Sequence, residues 1–146
     1  MINENQLHNW VQSNERKAQG VIAELIGRLV AASIKNPTAR RFPAADSIGQ
    51  SGEDGYIDTE TGFHPFIPKG KSIWEFGTGS DSKKKATLDY KKRTKATDES
   101  IRKEAAFIFV SPHSAAHGWD ITAQRRWIQK RHDWNSVNII DGDRFN

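Results

Sequence analysis

The sequence predicts an α/β domain in which helices cover both faces of a mixed β-sheet. A long amphipathic helix comes first, a group of short β-rich segments follows it, and a lysine-rich helix follows those. Two apolar runs, AAFIFV and WNSVNIID, are typical of strands buried inside a sheet. A chain that alternates helices and strands in this way packs them as layers around one sheet.

The first long helix is predicted from residue 15 to about residue 34. Its apolar residues recur at three- and four-residue spacing, and Asn36-Pro37 ends the pattern. The predicted core-facing stripe consists of Ala18, Val21, Ile22, Leu25, Ile26, Leu29 and Val30. Residues 1–14 are polar with one aromatic, Trp10, and are predicted to be a tail or a short helix before a single domain over residues 15–146.

An antiparallel meander is predicted after a proline- and glycine-containing loop at residues 36–53. Its strands are expected at 55–58, 63–67 and 72–76, separated by TETG and PKGK. A helix near 83–95 follows, capped by Asp81 or Ser82.

The second half of the chain predicts strand 105–110, a helix around 121–131 and strand 134–141. The sequence stops directly after this last strand, which normally needs a covering element. We therefore expect an N-terminal piece of a longer protein.

Composition narrows the cellular setting. The chain has 146 residues and no cysteine, which excludes disulfides and thiolate metal sites and favours a reducing, cytoplasmic location. The N-terminus lacks the pattern of a signal peptide, and no apolar run is long enough to span a bilayer, so no membrane partner is expected.

The positive charge is concentrated in one segment. Residues 83–103 hold nine Lys/Arg against three acids, a local charge of +6, whereas the whole chain carries +4. Such a patch suits phosphate binding, although a solvated, lysine-rich helix would look the same in sequence.

Two acids stand where the predicted sheet makes charge expensive. Asp54 begins the first strand of the meander, and Glu75 lies between Trp74 and Phe76 in the third, with its side chain pointing away from the aromatic pair. Neighbouring buried carboxylates repel each other unless a cation is bound, and Mg²⁺ prefers oxygen ligands. A bound Mg²⁺ with a nearby lysine is a set of groups that cleaves phosphodiesters.

The order of GEDGYID, PKGKSIWEFG, KKKATLDYKKRT, FIFVSP and the final strand resembles the PD-(D/E)XK restriction-endonuclease superfamily. Within it, the chain is most similar to the Mrr-like nuclease domains at the N-termini of antiphage STAND NTPases of the AVAST type. The resemblance covers roughly residues 15–145 and implies a restriction-endonuclease-like fold.

The resemblance also implies site residues. Asp54 and Glu75 match the metal-binding acids, and the carbonyl of Phe76 matches a third metal ligand. The family's lysine position holds Gly77, so the basic group is expected from the next helix, with Lys85 as first choice and Lys83 as second.

Two further acids are candidate additions to this set. Glu24 matches an acid that some family members supply from the first helix, as a catalytic residue. Asp58, on the same predicted strand face as Asp54, is an optional extra ligand.

The implied activity is Mg²⁺-dependent endonucleolytic cleavage of double-stranded DNA, with Mn²⁺ as an expected substitute and weak sequence specificity. It would act as an antiphage effector domain that is active as a homo-oligomer formed through the rest of the parent protein. The expected DNA-binding residues are Lys83, Lys84, Lys91, Lys92 and Arg93. Two alternatives stay open: a catalytically degenerate DNA-binding or adaptor module, which the glycine at position 77 favours, and cleavage of RNA instead of DNA.

Overall fold

The computed structural model describes residues 3–34, 39–41, 52–114 and 118–145. The helices of this part of the chain are α1 (Glu4–Ser13), α2 (Glu15–Ser33), α3 (Ser82–Ala96), α4 (Glu99–Arg102) and α5 (Ile121–Gln129), and a 3₁₀ turn closes it at Gly142–Phe145. The strands are β1 (Ala39–Arg41), β2 (Gly55–Thr59), β3 (Gly70–Phe76), β4 (Ala105–Val110) and β5 (Ser136–Ile140).

The five strands form one mixed sheet in the order β1-β2-β3-β4-β5. The first two pairings, β1 with β2 and β2 with β3, are antiparallel, and β3, β4 and β5 run parallel to one another. The carboxyl ends of these three parallel strands therefore meet at one edge. The start of β2 lies at that same edge, because Gly55 pairs with Trp74 near the end of β3.

Helix α2 covers one face of the sheet. Its buried residues share a cluster with Trp74, Phe76 and side chains of β2, β4 and β5; on the helix side they are Ile22, Ala23, Ile26, Val30 and Ile34. The predicted stripe was too wide, because only its part centred on Ile22, Ile26 and Val30 faces the sheet. Val21, Leu25 and Leu29 are 42%, 44% and 47% exposed.

Helices α3 and α5 cover the opposite face. Ala86 and Tyr90 of α3 pack with Trp127 of α5, and the same cluster contains Phe107 and Phe109 of β4. The six residues of β4 are all buried, as expected for a strand with helices on both sides. The prediction of a mixed sheet covered on both faces is confirmed.

Helix α1 forms the first described element, where the sequence left a choice between tail and helix. It begins with a capping box in which Asn3 and Gln6 exchange side-chain and backbone hydrogen bonds. Its Val11 is fully buried, and its His8 Nδ1 lies 2.7 Å from Nδ1 of the buried His113.

The meander differs from its prediction in two places. Residues 63–67 form a turn closed by a single bridge between Phe63 and Ile67, with a cis peptide before Pro65, instead of a strand. A short strand, β1, lies within the segment predicted as a loop at 36–53, whose residues 36–38 and 42–51 lie outside the described part. Among the described helices, none combines the length and apolar character needed to cross a membrane.

Candidate active site

Sheet register brings Asp54 against the end of β3. Asp54 directly precedes β2, and its Oδ2 accepts a hydrogen bond of 2.9 Å from the backbone N–H of Phe76. Both this carboxylate and that of Glu75 are buried, at 8% and 4% exposure. Because strand side chains alternate, Glu75 points to the α3 face while Trp74 and Phe76 fill the α2 face, as predicted.

The carboxyl groups of Asp54 and Glu75 lie within hydrogen-bonding reach of each other. Burial, then the charge of Asp54 and its hydrogen bond, raise the pKa of Glu75 to about 8, although Arg93 acts in the opposite direction. Without a bound cation, burial and the neighbouring charge of Asp54 therefore favour the protonated form of Glu75. This is the repulsion that the sequence predicted.

The position of Arg93 differs from the one predicted from the sequence. It was predicted to bind DNA at the surface, but it is only 5% exposed. Its Nε donates a hydrogen bond of 2.8 Å to Glu75 Oε1, and its Nη2 donates to the carbonyl of Gly52. Arg93 therefore belongs to the acidic site and not to the DNA-binding surface, and it supplies a buried counter-charge beside Glu75.

Lys85 lies against Gly77, directly after the end of β3. A Cβ built at Gly77 would lie 2.8 Å from Lys85 Cγ and 2.6 Å from Phe109 Cζ. The stem of Lys85 thus fills space that a side chain at position 77 would need. Its Nζ donates to Oδ1 of Asp89 at 2.8 Å, and the Lys85 side chain is 42% exposed, so the ammonium group remains accessible.

Asp89 joins the site although the sequence did not single it out as a candidate. It is 7% exposed, its Oδ2 has no hydrogen-bond partner, and its pKa is raised by burial against the opposing effect of Lys85. The negative charge of Asp54 raises it further. Positions 85, 89 and 93 recur at helical spacing and share one face of α3, but the sequence alone does not show that this is the face that meets the acidic pair.

The remaining predicted residues lie elsewhere. Glu24 is exposed on α2 and forms an ion pair with Arg28 at 2.6 Å, so the structure does not bring it to the acidic pair. Asp58 lies opposite Lys71 in the register, three residue pairs along the ladder from the Gly55–Trp74 pair at the site. The side chains of Lys83, Lys84, Lys91 and Lys92 are exposed.

The donor set fits a hard divalent cation of the Mg²⁺ type in one respect. Two adjoining carboxylates supply the oxygen ligands such an ion uses, and waters commonly complete its shell. Within the described ranges, no group of three or more His, Asp or Glu side chains is arranged to hold a metal ion. A cation here would therefore rest on Asp54, Glu75 and backbone oxygen.

Comparisons of this chain with protein-family models, with curated proteins and with solved structures find no match.

Proposed function

We propose that this chain is a Mg²⁺-dependent endodeoxyribonuclease domain with a restriction-endonuclease-like fold. The observation that carries the proposal is the buried Asp54–Glu75 pair at the end of β3, with Lys85 lying over Gly77 beside it. The antiparallel β1-β2-β3 unit followed by α3 and the parallel β4 agrees with the element order of the resemblance.

Each side chain of the site has a distinct role in this proposal. Asp54 and Glu75 hold the cation together with the carbonyl of Phe76, and Arg93 keeps Glu75 oriented toward Asp54 from the α3 side. Lys85 faces the phosphate and stabilises the charge that develops on its oxygens, while Asp89 holds the lysine stem over Gly77. When bound, Mg²⁺ supplies a hydroxide near neutral pH and neutralises charge on the phosphoryl oxygen.

The proposed substrate is double-stranded DNA, which the exposed lysines of α3 contact through phosphates. Phosphate contacts carry no base information, so cleavage is weakly sequence-specific. We place the domain in the cytoplasm as an antiphage effector, attached to further domains whose oligomerisation brings two sites onto one duplex.

A second candidate function is a DNA-binding or adaptor module on a degenerate nuclease fold. Two observations favour it: position 77 has no side chain, and Arg93 already donates a hydrogen bond to Oε1 of Glu75. An adaptor would need neither divalent cation nor Lys85.

Plasmid cleavage by a dimerised form of the chain, with Mg²⁺ or with EDTA, separates the two functions. Wild type should cut only with Mg²⁺, and Glu75→Gln should lower the rate by about 100-fold or more, since the ligand charge is lost. Glu60→Gln removes an equally charged but exposed acid and should cut normally.

The same variants report on metal binding by calorimetry. If wild type neither cuts nor binds Mg²⁺ or Mn²⁺ while it still binds DNA, the adaptor function is correct. If Glu75→Gln cuts as fast as wild type, the site assignment is wrong.

A further inference from the structure

A basic groove lies between α3 and α5, on the flank of α3 away from the acidic site. Its volume is about 370 Å³. Four of the seven residues that line it are cationic, and none is acidic; the four are Lys83, Arg126, Lys130 and Arg131. We call this the α3/α5 groove.

The buried Trp127 forms the floor of the α3/α5 groove. Trp127 is 3% exposed, and its indole N–H donates to Thr87 Oγ1 at 3.0 Å, which ties α5 to α3. The guanidinium of Arg131 lies 3.7 Å from the centroid of the Trp127 ring and donates to the Trp127 carbonyl at 2.8 Å. Arg131 is thus held in place by a cation–π contact instead of by a carboxylate.

Within the described ranges, none of the four groove cations forms an ion pair with an acid. The acid that acts on Arg131 is Asp133, which accepts a hydrogen bond from the Tyr90 hydroxyl. Four positive charges around one cleft repel one another, so an anion that spans the cleft relieves this repulsion.

Helix α3 separates this groove from the candidate active site. Positions 85, 89 and 93 face the acidic pair, whereas Lys83 and Thr87 line the groove. An α-helix with its side chains is about 10 Å wide. The major groove of B-DNA is about 12 Å wide, so phosphates on its two sides are about as far apart as the two flanks of α3.

We propose that the α3/α5 groove binds the phosphate backbone of duplex DNA while the same duplex lies at the acidic site. This inference deepens the proposed function and rests on it for the contact between the duplex and the acidic site. The groove cations differ from the exposed lysines assigned from the sequence, apart from Lys83: Arg126 lies in α5, and Lys130 and Arg131 directly follow it.

The test compares two double variants with equal net charge. Arg126→Gln with Lys130→Gln removes two groove cations, and Lys17→Gln with Arg125→Gln removes two exposed cations that do not line the groove. Binding of a short labelled DNA duplex is measured in EDTA over a range of salt concentrations, so that no cleavage is required. Circular dichroism confirms that both variants are folded.

If the groove holds two phosphates at these residues, the slope of log K against log[salt] should become shallower by about 2 in the groove variant. The control variant should keep the wild-type slope. Equal slopes in the two variants would overturn the proposal. So would equal, groove-dependent binding of polyglutamate, because the groove would then serve an acidic protein.

The two proposals fail separately in this design. If wild type does not cut DNA but the groove variant has the shallower salt slope, the nuclease proposal is wrong and the groove proposal stands. If wild type cuts DNA and the groove variant binds and cuts DNA normally, the nuclease proposal stands and the groove proposal is wrong.

Discussion

At the scale of single residues, the position of the Lys85 side chain depends on the absence of a side chain at Gly77. The stem of Lys85 passes where a side chain at 77 would be, and Asp89 holds its Nζ at 2.8 Å. The glycine and the lysine are thus parts of one arrangement, in which a basic group reaches the end of β3 from a helix.

This arrangement predicts the behaviour of Lys85→Ala. If Lys85 stabilises charge on the phosphate, the variant should cleave about 100-fold more slowly, which corresponds to about 3 kcal/mol of transition-state stabilisation. Lys17→Ala removes an exposed lysine of α2 that belongs neither to the site nor to the proposed DNA-binding surface, and should cut like wild type. Single-turnover plasmid cleavage with saturating enzyme measures both rates.

Loss of Lys85 also leaves the buried Asp89 unpaired, which can destabilise the fold. Lys85→Ala with Asp89→Asn removes that charge and separates chemistry from stability. Normal cutting by this double variant would show that no lysine is needed.

Some residues of the site could be predicted and others could not, for physical reasons. Glu75 stands out because a predicted strand places its carboxylate between two aromatics, where burial is costly, and Asp54 because it begins the first predicted strand of the meander. Arg93 does not stand out, because one arginine within KKRTK is indistinguishable from its solvated neighbours until the helix is docked on the sheet. Its partner is 18 residues away in sequence.

At the scale of secondary-structure elements, the predictions from the sequence agree best with the structure where an element is buried on all sides. AAFIFV became β4 with its predicted bounds, and Asp81 caps α3 by accepting from the Lys84 N–H. The apolar pattern of α2 predicted a wider buried face than the sheet covers, because periodicity does not report the width of the partner surface. Phe63 and Ile67 became the two ends of a turn, since the prolines of HPFIP prevent a continuous ladder.

The connection from β3 to α3 depends on close packing at Gly77. A methyl group there would lie 2.6 Å from Phe109 Cζ, and Phe109 is fully buried. Gly77→Ala should therefore lower the free energy of unfolding by about 1–3 kcal/mol, as for overpacked cores. Gly79→Ala is the matched control in the same connection, because its Cβ meets only the flexible Glu15 carboxylate at 3.3 Å.

Urea unfolding measures both glycine variants. Equal stability of the two would mean that Phe109 can move aside. For the same reason, Gly77→Lys is not expected to place an ammonium group at the phosphate unless Phe109 is displaced.

At the scale of the whole molecule, charge is arranged in three zones around α3. Acids and Arg93 lie buried on one flank, exposed lysines face solvent, and the α3/α5 groove lies on the other flank. One helix thus positions the acidic pair's counter-charge and the surface proposed to bind DNA. The sequence revealed this helix as basic but could not divide it into faces, since that division depends on which residues meet the sheet.

The buried acidic pair also makes the stability of the whole chain depend on pH. Glu75 has an ordinary pKa of 4.5 and a folded-state pKa of about 8, so between these values the folded state holds a proton that the unfolded state has released. The stabilisation is therefore full below about pH 4.5 and is lost as the pH rises toward about 8, by at most about 1.4 kcal/mol per pH unit. Asp89, whose pKa is also raised, contributes in the same direction.

Urea unfolding of the metal-free chain across this range should show stability falling as the pH rises, and Glu75→Gln should flatten the decline because its amide does not titrate. The residual slope of the variant belongs to Asp89 and to the other acids. Saturating Mg²⁺ should flatten the wild-type curve as well, since a bound cation favours the ionised carboxylates and its binding releases the proton of Glu75. Mg²⁺ should leave the Glu75→Gln curve nearly unchanged. Parallel curves for wild type and variant in EDTA would show that Glu75 is ionised in the folded chain, and an equal Mg²⁺ effect on both would place the cation away from Glu75.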